Sequence, residues 1–260
     1  MDGLREQWGV GRSTFGAWLS IPSTVTAEAA ARQGFDYVCV DTQHGAVDYQ
    51  ACVGMIQAID LGGGTPLVRV PWNEPGIIGK MLDAGAHGVI VPMVNTEAEA
   101  RAVVHACRYA PIGSRSYGPT MVGMRHDDYH GWAASGIAVI PMVETVEALQ
   151  NLDAILGVAG VDAIYVGPAD LSLSLGLPPG NNDDRTEFTE ALQYIVKSCR
   201  SAGVVPGIHA SGALAERRTE QGFQMLTVSN DVVSLRMGMK AELDVARSAA
   251  PAPISDNPVY

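Results

Sequence analysis

Residues 66–91, PLVRVPWNEPGIIGKMLDAGAHGVIV, decide how this chain folds. A short apolar run, Pro66 to Val70, is followed by a helical pattern and then by a second apolar run, Gly88 to Val91. Two such runs joined through a helix read as parallel strands in a βαβ unit. Working outward, the alternation continues in both directions. Strands are expected at Phe15 to Leu19, Asp36 to Val40, Ile137 to Met142, Ala163 to Val166, Val204 to Ile208 and Gln224 to Val228. Units running from 15 to about 246 average about 29 residues, which suits an α/β TIM (β/α)8 barrel and leaves no room for a linker. The expectation is a single β/α barrel domain over 1–260, with its core at about 15–246 and a flexible C-terminal tail at 247–260.

The intervening helices carry readable starts. Thr96 with Glu99 forms a capping box, after which Ala100, Val103, Val104 and Cys107 recur at helical spacing. Thr145 opens another helix with Leu149, Leu152, Ile155 and Leu156 on one face, and Phe188, Leu192, Ile195, Val196 and Cys199 mark a third. Residues 111–136, with GSRSYGP and MRHDDYHGW, are too long for a simple connection and suggest a functional loop or lid. The tail PAPISDNPVY suggests a flexible terminus or an arm onto a neighbour.

A net charge of -11 argues against nucleic acid or an anionic membrane as partner, since either requires clustered Lys and Arg. The cysteines, Cys39, Cys52, Cys107 and Cys199, have no CxxC spacing and read as reduced core residues. The N-terminus lacks an apolar signal core, and no apolar run is long enough to span a membrane, so a cytoplasmic protein is expected.

In such barrels the chemistry sits at the C-terminal ends of the strands. Asp41 and His44 in VCVDTQHG, Arg69 in PLVRVPWNEPG, Glu144 in IPMVET and Asp170 in IYVGPADLS all fall there. Glu144 and Asp170 offer hard oxygen ligands with no thiol or paired His nearby, as Mg²⁺ or Mn²⁺ prefers. Each could instead cap a helix; in register on adjacent strands, the pair favours a cation. Arg69 needs an anionic partner, either a substrate carboxylate or enolate oxygen, or a structural salt bridge to Glu144 or Asp41. The Asp41-x-x-His44 spacing could set the imidazole against the carboxylate and raise its basicity. VGPADLS places backbone N–H groups at a strand-to-helix turn, where they suit a carboxylate or phosphate oxygen. LGGGTP at 61–66 precedes a strand and so belongs to the opposite face, as a helix stop and turn. HDDYH at 126–130 has ligand residue types without a ligand spacing and reads as a solvated loop. Imine catalysis needs a lysine in the barrel mouth, and Lys80, Lys197 and Lys240 all fall in outer helix patterns. A metal is left as the electron sink.

At these residues the chain resembles the HpcH/HpaI aldolase family, the class II metal-dependent pyruvate aldolases of the phosphoenolpyruvate/pyruvate barrel type. DTQHG, LVRVPWNEPGIIGKMLDAGAHGVIVPMVNT, GSRSYGP, PMVET and GVDAIYVGPADLSLSLG occur in the family's order, and the resemblance covers about residues 14 to 245. It implies a lyase acting through a pyruvate enolate: a 4-hydroxy-2-oxo acid is cleaved to pyruvate and an aldehyde. It implies that Glu144 and Asp170 bind a divalent metal cation, Mg²⁺ or Mn²⁺ with Co²⁺ as a further option. Arg69 would hold the keto oxygen, His44 with Asp41 would manage the proton, and the amides around Gly167, Pro168 and Ala169 would hold the substrate carboxylate. Family members are commonly hexamers, which implies a homo-oligomer in which Asp83 reaches a neighbouring subunit's site. Two positions depart from the pattern. Met142 stands where the best-known members have Gln, and His209 stands where some have an apolar residue, which bears on the choice of acceptor. The alternatives are an acyl-CoA lyase of the citramalyl-CoA or malyl-CoA type, which should show a basic patch, and a phosphosugar isomerase barrel. The latter would need a phosphate site after strands seven and eight, where HASGAL and VSND offer only a weak one near Ser211.

Overall fold

The βα alternation read from residues 66–91 occurs eight times in the computed structural model, which describes residues 3–249. The strands are β1 (Thr14–Leu19), β2 (Tyr37–Asp41), β3 (Pro66–Arg69), β4 (Gly88–Val91), β5 (Ala138–Pro141), β6 (Ala163–Val166), β7 (Val205–His209) and β8 (Met225–Asn230). Each lies within two residues of its expected place. The helices are α1 (Leu4–Gly9), α2 (Thr24–Ala31), α3 (Tyr49–Leu61), α4 (Pro75–Ala84), α5 (Glu97–Cys107) and α6 (Tyr129–Gly136). They continue with α7 (Val146–Gln150), α8 (Leu152–Leu156), α9 (Pro168–Ser174), α10 (Thr186–Ala202), α11 (Ala215–Gln221) and α12 (Asp231–Ala249).

All strand pairs are parallel, in the order β5-β4-β3-β2-β1-β8-β7-β6. A bridge between Met142 and Tyr165 joins the two ends, supported by Asp162 N–H to Val139 O at 3.0 Å and Val143 N–H to Tyr165 O at 2.9 Å. The sheet is thereby a nearly closed TIM-type barrel. Alternate side chains explain why the strands are apolar throughout. Val38 and Val40 face the helices, while Tyr37 and Cys39 point into the barrel with Trp18, Leu67, Ile90, Ile140, Tyr165 and Met225. Leu4 and Trp8 of α1 complete this interior cluster and close the N-terminal end, with Trp8 Nε1–H donating to Thr14 Oγ1 at 2.9 Å. The sequence reading gave residues 4–9 no role.

The expected capping box is present: Thr96 Oγ1 accepts from Glu99 N–H and Glu99 Oε2 from Thr96 N–H. Thr145 caps α7, but the helix expected through Leu156 breaks at Asn151, whose amide donates to Asn95 O at 2.8 Å. The apolar face of α10 is buried as read. All of the cysteines are free, buried thiols, and burial pushes Cys52, Cys107 and Cys199 up to about 12.

Two expectations are corrected. Residues 111–136 are not a lid. As an α-to-β connection they lie at the N-terminal end, where Arg115 pairs with Asp83, Arg125 with Asp60, and Tyr129 O–H donates to Leu82 O. Within HDDYH, Asp127, Asp128 and His130 are exposed, as read for a solvated loop, while Asp128 also caps α6, His126 stacks on Trp132 and Tyr129 is buried. The outer ring is also incomplete. Beyond its first turn α12 leaves the barrel, with Met237 at 68% and Val245 at 65% exposure. Most of the tail expected at 247–260 lies outside the described residues. Among those described, no helix is long and apolar enough to cross a membrane.

Gly16 of β1 sits opposite Tyr37 of β2 with no room for a side chain. A Cβ there would fall 2.1 Å from the ring of Tyr37, which is fully buried and bonded to Thr227 Oγ1 at 3.0 Å. Gly16→Ala is expected to cost about 1–3 kcal/mol by overpacking. In a chain of this size that lowers the thermal midpoint by about 2–10 °C. An unchanged melting curve would contradict the close approach.

Candidate active site

The C-terminal ends of the strands surround a cavity of about 300 Å³. Among the residues facing it are His44, Arg69, Glu144, Gly167, Pro168, Ala169, Asp170 and His209, so most of the expected site converges. Met142 also lies in the wall, as do Trp18, Tyr165, Gly180 and Asn181, for which the sequence reading had assigned nothing. Trp18 had a usable signal, an indole one residue from the end of a strand. The loop residues Gly180 and Asn181 had none.

Asp41 is 2% exposed and holds the Arg69 guanidinium in a two-pronged pair, Nε to Oδ1 at 2.9 Å and Nη2 to Oδ2 at 2.6 Å. This is the salt bridge weighed for Arg69, and among the described residues it leaves Nη1 without a hydrogen-bond partner. The guanidinium also lies over the Trp18 ring at 4.9 Å, and Trp18 Nε1–H donates to Asp41 Oδ2 at 3.2 Å. Burial pushes the Asp41 carboxyl up, but the Arg69 bonds and charge and the Trp18 bond outweigh it and hold it below its ordinary range. The expected Asp41–His44 contact is corrected. Asp41 Oδ1 accepts the backbone N–H of Gln43 at 3.0 Å and of His44 at 3.2 Å, and no hydrogen bond links it to the imidazole. Its oxygens are already committed, so Asp41 shapes the turn that carries His44. That turn also requires Gly45, where a Cβ would meet Asp41 O at 2.3 Å.

Glu144 is 2% exposed. Its Oε1 accepts from Met93 N–H at 2.8 Å, and Met93 adopts φ 55°, a conformation uncommon for a side-chain-bearing residue. Its Oε2 is buried and has no hydrogen-bond partner among the described residues. Burial pushes the Glu144 carboxyl up to about 7, the nearby Asp170 charge adding to the effect and the Met93 N–H and Arg69 opposing it. A Cβ at Gly167 would lie 2.3 Å from Oε2, so glycine keeps open the space beside that oxygen. Asp170 is exposed to the same cavity, at the third position of α9. It is not the residue before its helix; Gly167 is. Pro168 supplies a fixed φ at the first helical position and no N–H. The donors of this turn are therefore amides such as Ala169 and Asp170, which precede the first helical bond from Leu171 N–H to Gly167 O.

An orphaned carboxylate oxygen next to a second carboxylate, with space held open by glycine, fits a hard divalent cation. Among the described residues no cluster of three or more His, Cys, Asp and Glu is poised as a metal site, so water or substrate oxygens would complete the shell. Asp83 does not border this cavity; it accepts from Arg115 at 2.5 Å on α4. None of the lysines borders it either. At the eighth strand, Asp231 accepts from Ser20 and Ile21 N–H at 2.9–3.0 Å.

A profile of the family described as HpcH/HpaI aldolase/citrate lyase matches residues 14–237. This chain belongs to that family. It is 38% identical over 250 residues to the hydroxypyruvate/pyruvate aldolase of Rhizorhabdus wittichii, covering 95% of this chain and 100% of that one. It is 38% identical over 236 residues to the 4-hydroxy-2-oxo-heptane-1,7-dioate aldolase of Klebsiella pneumoniae, covering 89% and 88%. The crystal structure of an HpcH/HpaI aldolase/citrate lyase family protein from Burkholderia cenocepacia superposes with a TM-score of 0.87 at 32% identity, covering 94% and 98%. The family resemblance, the TIM-type barrel and the nature of the protein as an aldolase-family enzyme therefore stand.

His209 adds a feature within this family site. Tyr165 O–H donates to Thr227 Oγ1 at 2.6 Å, so its 3.3 Å contact with His209 Nδ1 has the imidazole donating. Nε2 is then the acceptor. Burial, with the charge of Arg69, pushes His209 down to about 4 from 6.5. Because the unfolded chain takes up this proton below about 6.5 and the fold does not until about 4, the contribution to stability is lost as pH falls through that window. The slope of thermal midpoint against pH between 6.5 and 4 should be shallower in His209→Gln than in the native protein. Superimposable slopes would contradict the buried, neutral ring.

Proposed function

We propose that this enzyme is a divalent-cation-dependent aldolase that reversibly cleaves a 4-hydroxy-2-oxo acid to pyruvate and an aldehyde. The observation that carries the reading is the buried, unpartnered Oε2 of Glu144 beside Asp170. Those two residues would hold the cation, with Mg²⁺ or Mn²⁺ the best match to all-oxygen ligands. When bound, the cation supplies Lewis acidity that lowers the cost of charge on the 2-oxo group.

The remaining roles follow from the geometry. Arg69, held on Nε and Nη2, offers its free Nη1 to the keto oxygen as negative charge develops there. The first-turn amides of α9 hold the substrate carboxylate. In cleavage, His44 at the cavity mouth takes the 4-hydroxyl proton, the C3–C4 bond breaks to release the aldehyde, and its electron pair passes to the 2-oxo group as an enolate that takes up a proton at C3 to give pyruvate; in synthesis each step runs in reverse. Asp41 acts through Arg69 and through the turn bearing His44. The exposed apolar row of α12 would be covered by a second copy in a homo-oligomer, with a hexamer expected, and Asp83 would serve a neighbour's cavity.

Proton NMR of pyruvate in D₂O tests the chemistry without choosing an aldehyde. Methyl exchange should require added Mg²⁺ or Mn²⁺, stop with chelator, fall roughly 10²- to 10³-fold in Arg69→Ala and vanish in Glu144→Gln. Near-native exchange in Arg69→Ala would refute its role, and exchange indifferent to chelator would refute the cation. Light scattering of the intact chain should give a mass several times 27.4 kDa. A monomer at micromolar concentration would refute the assembly.

A further inference from the structure

Asn95 lies in the turn between β4 and α5 and does not border the active-site cavity. Every polar group it has is nonetheless engaged. Its backbone N–H donates to Glu99 Oε2 at 2.7 Å, and its backbone O accepts from Asn151 Nδ2 at 2.8 Å. Its side chain accepts at Oδ1 from the Thr145 hydroxyl and donates from Nδ2 to Met93 O at 3.2 Å. The orientation of that amide is forced. A carbonyl can only accept, so the atom facing Met93 O is the nitrogen, and the oxygen is left for Thr145. Thr145 can supply the hydrogen, because its Oγ1 accepts from Ala148 N–H at 3.0 Å and keeps its own proton to donate. Asn95 is thereby tied to α5, to the start of α7 and to the break between α7 and α8.

What this anchored amide holds is Met93. Among the described residues Met93 alone, glycines apart, has a positive φ, at 55°. Its N–H donates to Glu144 Oε1 at 2.8 Å and its O accepts from Asn95 Nδ2, so rotation on both sides of its Cα is fixed by a bond at each end. The left-handed conformation is unfavourable for a residue with a Cβ. Release of the Asn95 end would let Met93 relax to negative φ and carry its N–H away from Glu144. The Glu144 carboxylate would then lose the contact that turns Oε1 to the backbone and leaves Oε2 bare beside Gly167.

We propose that Asn95 is a positioning residue for the cation site: by holding Met93 in its left-handed conformation it keeps the Met93 amide on Glu144 Oε1 and so presents Oε2 to the ion. Asn95 acts only through the backbone of Met93. Groups that orient a ligand without touching the ion typically change metal affinity about 10- to 100-fold. This rests on the reading that Glu144 and Asp170 hold a divalent cation, and it adds the device that aims the first of them.

The test uses the full chain and Mn²⁺ alone, with affinity read from the paramagnetic resonance signal of the free ion and the cation-free thermal midpoint recorded for every variant. The native protein should bind Mn²⁺, and Glu144→Gln should lose it. Asn95→Ala should bind about tenfold more weakly. Met93→Gly keeps the amide and removes the Cβ that makes positive φ costly, so Asn95→Ala combined with Met93→Gly should recover most of the lost affinity. A role for Asn95 confined to fold stability would lower the midpoint and give no such recovery. Asn95→Asp still accepts from Thr145 but cannot donate to Met93 O, so it should bind Mn²⁺ more weakly than the native protein despite its added negative charge. That variant decides the matter if Asn95→Ala does not fold. Native affinity in either Asn95 variant, or a double variant no tighter than Asn95→Ala, would overturn the positioning role and leave the cation reading intact. Equal Mn²⁺ binding by the native protein and Glu144→Gln, or none by either, would sink both.

Discussion

One buried carboxylate organises the rim of this barrel. Asp41 binds two nitrogens of Arg69, the Trp18 indole and two backbone amides, and so ties together the ends of β1, β2 and β3. A paired charge this deep is costly to leave half-made, and removing either partner typically costs about 3–5 kcal/mol. What it secures is direction. With Nε and Nη2 occupied, Nη1 is the guanidinium nitrogen left for a ligand, and the turn after β2 has one shape in which to present His44.

Opposite this satisfied pair lies an unsatisfied one. Glu144 spends one oxygen on Met93 N–H and keeps the other buried and bare, close to a second carboxylate and beside a glycine that leaves the space empty. Such an arrangement is unfavourable in isolation, which is why the Glu144 carboxyl is pushed toward its protonated form. The strained backbone at Met93 belongs to the same economy: an unusual φ is tolerated where a backbone amide must meet that carboxylate. The barrel core, close-packed inside and out, holds both arrangements in register.

The last helix breaks the symmetry of the fold. α12 is anchored at its start, where Asp231 takes the amides after β1, and then carries apolar side chains into solvent. A barrel that packed its own eighth helix would cover that row. In the proposed homo-oligomer a second copy would supply that cover, so assembly and site would meet at the strand end that Asp231 caps.

Much of this was legible in the chain itself. The alternation of β-branched runs with helical patterns is local chemistry repeated eight times, and strand ends can be counted without coordinates; that is why His44, Arg69, Glu144, Asp170 and His209 were found at one mouth. Capping at Thr96 and the buried face of α10 are equally local. Partner choice is not. Only the tertiary structure decided that Asp41 serves Arg69 rather than the His44 ring, that 111–136 docks at the far end, that α1 plugs the barrel, and that Asn181 borders the cavity. Hydrogen bonds between distant segments depend on how loops return across the barrel, and no periodicity in the sequence encodes that path.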